Sequence, residues 1–115
     1  MHELSLCRSI GGVVTRSAAG RDVAVVHVRV GALRQVVAST LVYCWELTRH
    51  GTDLEGSVLA VEEVPAVIEC RFCGASTPLA LPVFVCAGCG GSEVALVSGE
   101  EFLVTSLELT EPANG

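Results

Sequence analysis

Two cysteine pairs limit what this chain can fold into. Cys70-Arg71-Phe72-Cys73 and Cys86-Ala87-Gly88-Cys89 are each followed by a glycine, Gly74 and Gly90, and twelve residues separate the pairs. A Cys-x-x-Cys turn aims two sulfurs at one point. A glycine just after it can take the positive φ that closes the turn. Two such turns face to face supply four thiolates in a tetrahedron, the arrangement zinc takes in structural sites. Two disulfides are the competing arrangement, but the duplicated knuckle points to a metal. A redox Cys-x-x-Cys comes singly, beside a βαβ pattern. Iron held by the same four sulfurs is the other tetrahedral option.

Bulk properties narrow the setting. The 115 residues are half hydrophobic and carry a net charge of −6. That is enough for one small core plus a metal-stapled lobe. The charge argues against nucleic acid or an anionic membrane as a partner, since both require a basic face. No apolar run reaches the roughly 18 residues needed to span a bilayer, and Met1-His2-Glu3-Leu4-Ser5 does not read as a secretory signal. The chain is therefore expected in the cytoplasm, where thiols stay reduced. Cys7 and Cys44 fall on apolar helical patterns and read as small buried hydrophobes.

Periodicity supplies the elements. Residues 3–19 carry Leu6, Ile10, Val13 or Val14 and Ala18 on one helical stripe, with Gly20 as a stop. Gly11-Gly12 inside it has no evident reason beyond close packing. Residues 22–30 alternate as a strand, with Ala24, Val26, Val28 and Val30 on one face and His27 half-exposed on the other. Residues 34–49 read as a second helix with Val37, Leu41, Cys44 and Thr48 inward and Gly51 as its cap. His50 suits the negative end of that helix. A second strand covers 57–64, with Glu62 and Glu63 solvated. Pro65 opens the cysteine lobe, with strand-like pieces at 79–85 and 94–97. A last strand covers 102–109, with Leu103, Leu107 and Leu109 on one face. The fold class is α+β: a three-stranded mixed sheet with two helices on one face, plus an inserted four-cysteine lobe of zinc-ribbon type. Residues 1–65 and 100–115 make one domain and 66–99 the other. The lobe holds too little apolar mass to fold without its metal.

The start of the chain is a second constellation. A histidine at position two sets three nitrogens in one plane: the Met1 amine, the His2 amide nitrogen and the His2 imidazole. Glu3 offers an amide nitrogen or carboxylate beyond them. Planar nitrogen-rich ligation suits Ni(II) or Cu(II).

Taken together, Met-His-Glu-Leu-Ser-Leu at the start, Arg29-Val30-Gly31-Ala32-Leu33 after the first strand, and a paired Cys-x-x-Cys lobe after Val64-Pro65-Ala66 resemble the HypA family over nearly the whole chain. That resemblance implies a nickel metallochaperone of [NiFe]-hydrogenase maturation. It implies Ni(II) carried at Met1, His2 and Glu3, and structural Zn(II) held by Cys70, Cys73, Cys86 and Cys89. The domain of residues 1–65 and 100–115 would then bind nickel, and 66–99 would bind zinc. It also implies a HypB-type GTPase and the hydrogenase large-subunit precursor as partners. One stretch departs from the family: Val36-Val37-Ala38-Ser39-Thr40 stands where members often carry Pro-Glu.

No Ser/His/Asp or Cys/His nucleophile arrangement is legible, and zinc closed by four sulfurs has no open position for water. The chain is therefore expected not to be an enzyme. A zinc-ribbon binding module for protein or nucleic acid is the alternative, weakened by a lobe whose sole basic residue is Arg71. An iron electron carrier is a third reading, and its colour would reveal it. If nickel does not bind at the N-terminus, His27 and His50 are the next candidates.

Overall fold

The computed structural model describes residues 2–110, apart from the His2 side chain. Its elements run α1 (His2–Ala18), β1 (Val23–Gly31), a 3-10 turn (Ala32–Arg34), α2 (Ala38–Thr48), β2 (Val58–Val64), β3 (Ala66–Cys70), β4 (Ser76–Leu79), β5 (Val94–Ser98) and β6 (Phe102–Leu109). Two three-stranded sheets result, ordered β2-β1-β6 and β4-β3-β5. The chain falls into two compact units. One comprises residues up to Arg29, Val36–Glu62 and those from Leu103 on; the other comprises Val30–Gln35 and Glu63–Phe102.

The first unit is the α+β part. Its sheet is mixed, with α1 and α2 packed together on one face. The α2 crossover joins β1 to a parallel β2, as such connections must. β6 runs the other way: Gly31 donates to the Glu101 carbonyl at one end and Thr110 to the Asp22 carbonyl at the other. Cys7, Ile10, Val14 and Ala18 form the buried stripe of α1, and Val26 and Val28 the inward face of β1 within this unit. Leu6 is only half-buried and Val13 is exposed, so the stripe runs through Cys7 and Val14. Leu41 and Trp45 complete the core from α2. Cys44 is half-buried rather than buried.

The second helix begins later than its periodicity suggests. Gln35 adopts the left-handed region, φ 56°, and its N–H closes the 3-10 turn onto the Ala32 carbonyl. Val37 is then extended, and its carbonyl accepts the first helical N–H, from Leu41, at 2.9 Å. Val37 is consequently exposed instead of inward. Gly11 and Gly12 are not packing glycines: a Cβ on Gly11 would meet nothing within 4 Å, and one on Gly12 only the Arg16 side chain. On β6, Leu103 is exposed and Leu107 half-buried, so the alternation slips along the strand.

On the outer face of β1, His27 Nε2 meets Glu108 Oε2 at 2.5 Å and Arg29 Nε–H meets Glu62 at 3.2 Å. His50 lies 3.1 Å from Glu55 and is exposed. Both histidines thus have structural partners.

The second unit is a small antiparallel sheet. β3 pairs with β4 in the register Ala66↔Leu79 and Glu69↔Ser76, and with β5 through Ile68↔Leu96 and Cys70↔Val94. β3 is an element the sequence reading lacked: Ala-Val-Ile-Glu-Cys is short and carries a charge mid-run. The strand expected over 79–85 ends instead at Leu79. Beyond it Pro82 supplies no backbone donor, and Val83 and Val85 bond only locally, to the Leu81 and Val83 carbonyls. Outside the cysteines, the unit's buried apolar side chains are Val30, Ala66 and Ile68.

Candidate metal centre

Each cysteine pair sits on a closed turn. Gly74 N–H bonds to the Cys70 carbonyl at 3.1 Å, and Gly90 N–H to the Cys86 carbonyl at 2.9 Å. The glycines have φ of 77° and 75°, the left-handed region that admits glycine without strain. The expected knuckle is thus present twice. The first turn is the corner of the β3–β4 hairpin. The second lies between β4 and β5 and is held from outside by Thr77, whose buried hydroxyl accepts the Ala87 N–H at 3.1 Å. Thr77 was not singled out in the sequence, where nothing marks it except the proline that follows.

The four sulfurs converge. Cys70, Cys73, Cys86 and Cys89 Sγ all lie within 4.8 Å of one another, with Cys70–Cys89 at 3.6 Å and Cys73–Cys86 at 3.5 Å. Four sulfurs about 2.3 Å from one zinc would lie about 3.8 Å apart along each tetrahedral edge, so the set fits a tetrahedral metal with small adjustment. The two short approaches, 3.6 and 3.5 Å, are far beyond the roughly 2.05 Å of a disulfide bond.

The local backbone prepares the sulfurs for a cation. N–H groups of Phe72 and Cys73 approach Cys70 Sγ at 3.4 and 3.5 Å, and that of Gly88 approaches Cys86 Sγ at 3.3 Å. Such donors favour the thiolate. The Cys73 N–H, then that of Phe72, holds Cys70 below an ordinary thiol. The Cys89 N–H, then that of Gly88 against the effect of burial, brings Cys86 down to about 6. The other two go the opposite way. The Ala75 N–H pulls Cys73 down, but the neighbouring Cys86 and Cys70 outweigh it and drive it up to about 11. The Gly91 N–H pulls Cys89 down, and again Cys70 and Cys86 outweigh it. Each close sulfur pair therefore sets a sulfur whose ionisation is favoured beside one whose ionisation is opposed. Four negative charges cannot share this space without a cation, and a divalent metal would supply the missing charge.

Of the N-terminal trio, Met1 and the His2 side chain lie outside the described residues. Glu3 is in the first turn of α1, where an acid complements the helix dipole, and its Oε2 accepts the Val37 N–H at 3.4 Å.

The chain matches, over residues 1–109, the family described as hydrogenase/urease nickel incorporation, metallochaperone, hypA. It belongs to the HypA family. A hydrogenase maturation factor HypA from Geotalea daltonii is 38% identical over 107 residues, covering 93% of this chain and 97% of the relative. Another from Nostoc sp. is 33% identical over 111 residues, covering 96% and 97%. The solution structure of the Ni metallochaperone HypA from Helicobacter pylori superposes with a TM-score of 0.66 at 25% identity, covering 95% of this chain and 97% of that one. HypA proteins are metallochaperones of nickel incorporation, not enzymes. The four-cysteine cluster of this HypA chain accordingly has no catalytic role to fill. Among the described residues no helix is long and apolar enough to cross a membrane.

Proposed function

We propose that this HypA chain carries Ni(II) at its N-terminus and delivers it to the large-subunit precursor of a [NiFe]-hydrogenase. The cargo is held by the Met1 amine, the His2 amide and imidazole nitrogens, and Glu3. Cys70, Cys73, Cys86 and Cys89 hold a structural Zn(II). The nickel-binding domain is residues 1–65 with 100–115, and the zinc-binding domain 66–99. A HypB-type GTPase is the partner in delivery, the work takes place in the cytoplasm, and neither nucleic acid nor membrane is involved. The observation that carries this reading is the family match running unbroken from the Met-His-Glu start through the four-cysteine lobe.

The proposed nickel site needs a free amine, and that is where it can be tested. His2→Ala, N-terminal acetylation and an uncleaved N-terminal extension each abolish uptake of one equivalent of Ni(II) while leaving zinc in place, as read by metal analysis and titration calorimetry. The last two remove the amine without touching a side chain. Amine and imidazole must both shed protons, with ordinary pKa values of about 7.7–8.0 and about 6.5, so nickel affinity falls steeply as pH drops through that region. An extended chain that takes up nickel with unchanged affinity would place the site elsewhere.

A further inference from the structure

Val30–Gln35 precedes the cysteines by a long stretch of chain, yet it belongs to the same compact unit as Glu63–Phe102. Three hydrogen bonds tie it to the turn between β5 and β6. Gly31 N–H donates to the Glu101 carbonyl at 2.7 Å, Leu33 N–H to the Gly99 carbonyl at 2.8 Å, and Arg34 Nε–H to the Glu100 carbonyl at 2.8 Å. The backbones also touch. A Cβ on Gly31 would lie 2.1 Å from the carbonyl carbon and oxygen of Gly99, and a Cβ on Gly99 would lie 2.7 Å from Ala66 Cα. Gly31 has an unremarkable φ of −76°, so it is space, not conformation, that requires glycine there. Ala66 opens β3, the strand that ends at Cys70. The line Gly31–Gly99–Ala66 therefore leads by direct backbone contact to a cysteine-bearing strand.

Val30 and Gly31 are the last residues of β1 and are buried, but little else holds the part beyond them, Ala32–Gln35, in place. Its 3-10 turn has no buried residue and one internal bond, Gln35 N–H to the Ala32 carbonyl at 3.2 Å. Turns of that length have poor hydrogen-bond geometry and little stability of their own. Their acceptors on Gly99, Glu100 and Glu101 are positioned by β5, which is placed in turn by its ladder to β3. We infer that Val30–Gln35 is a strap belonging to the lobe's folding unit, released when the four-cysteine site is opened. The inference rests on those cysteines holding a metal. On this view removing the metal loosens a stretch of chain immediately ahead of α2, far in sequence from any ligand.

Hydrogen exchange on the full chain tests it, with zinc chloride added and then with the metal chelated. The Gly31 and Leu33 amides exchange more than about tenfold faster after chelation, together with β3, while Leu41–Thr48 keeps its protection. Unchanged exchange at Gly31 and Leu33 while β3 loosens overturns the strap, as does equal loosening of α2. A second arm needs no chelation. In Gly31→Ala with zinc present, the new Cβ collides with the Gly99 backbone, so exchange rises at Leu33 and across Ala66–Cys70 but not in α1 or α2. Metal analysis keeps the two readings apart. If the zinc-treated, unmodified chain holds no metal after unbound zinc is removed, the metal assignment fails, and the Gly31→Ala arm decides the strap alone: unaltered exchange across Ala66–Cys70 refutes it.

Discussion

Ser57 joins the end of α2 to the start of β2, and its replacement has a calculable cost. Its hydroxyl accepts the indole N–H of Trp45 at 3.0 Å and donates to the Leu54 carbonyl at 2.6 Å. Arg49 also donates to its backbone carbonyl. Ser57 is fully buried and Trp45 is 1% exposed. Ser57→Ala leaves the indole N–H without an acceptor or water, at a cost of about 2 kcal/mol. The Leu54 carbonyl does not share that loss, because it still accepts the Ser57 N–H at 3.0 Å. Trp45→Phe removes the same hydrogen bond, about 1 kcal/mol. It also leaves a void of roughly 40 Å³, worth about 1 kcal/mol at ~24 cal/mol per Å³. The double variant has no orphaned donor, so it costs roughly 2–3 kcal/mol, well short of the sum of the singles. Urea unfolding of zinc-loaded protein, followed by far-UV circular dichroism, measures all four corners of the cycle. Trp45 is the chain's single tryptophan, so fluorescence serves as a second probe in the wild type and in Ser57→Ala. Costs that add to within about 0.5 kcal/mol would show that the two side chains do not act on each other.

Cys73→Ser should abolish the dispersion of amide signals from the lobe while those of α1 and α2 persist. The lobe's few buried apolar side chains offer only a few kcal/mol, against the ~10–16 kcal/mol typical of structural zinc; an intact metal-free lobe would refute this. Burial, aided by Cys44 and Glu3, pushes the Cys7 thiol up from 9.0 to about 12. The folded state therefore keeps a proton that the unfolded chain gives up, and the stability this lends below pH 9 is lost as pH rises toward 12. Melting temperature should fall less steeply over that window in zinc-loaded Cys7→Ala, and parallel curves would contradict the assignment. Gly11→Ala should stabilise α1 by about 1 kcal/mol, since nothing stands where the Cβ would go; a destabilised variant in urea unfolding would mean the helix needs the glycine.

Most of the architecture was legible because its signals are local. The alternation of β1, the helical stripe of α1 and the doubled knuckle each sit within a short window of sequence, and each formed in its expected span, with the stripe of α1 shifted from Leu6 to Cys7. What was not legible depended on contacts between distant segments. Nothing at Gln35 announces a left-handed residue, so the periodic run from Arg34 onward extended the second helix too far toward its N-terminus. Val83 and Val85 have strand propensity, but the sheet offers them no partner. β3 earns its strand only by lying between β4 and β5, a placement that no property of its five residues encodes. At the metal centre the ligand types and spacing were readable. The N–H groups aimed at Cys70 and Cys86, and the Thr77 hydroxyl bracing the second knuckle, were not, because backbone donors are the same in every sequence.

The boundary between the two units falls inside a hydrogen-bonded strand, between Arg29 and Val30 of β1. A small cysteine lobe can be cut at its flanking turns and moved between scaffolds only if it carries its own hydrogen-bond donors. Excised as Glu63–Phe102 alone, this one would leave the carbonyls of Gly99, Glu100 and Glu101 without the donors that now meet them, and expose backbone shaped to receive Gly31. A chimera that exchanges the lobe between relatives must therefore carry two pieces of chain. The second is Val30–Gln35, the short run that starts at the end of the first strand and includes the donors Gly31, Leu33 and Arg34.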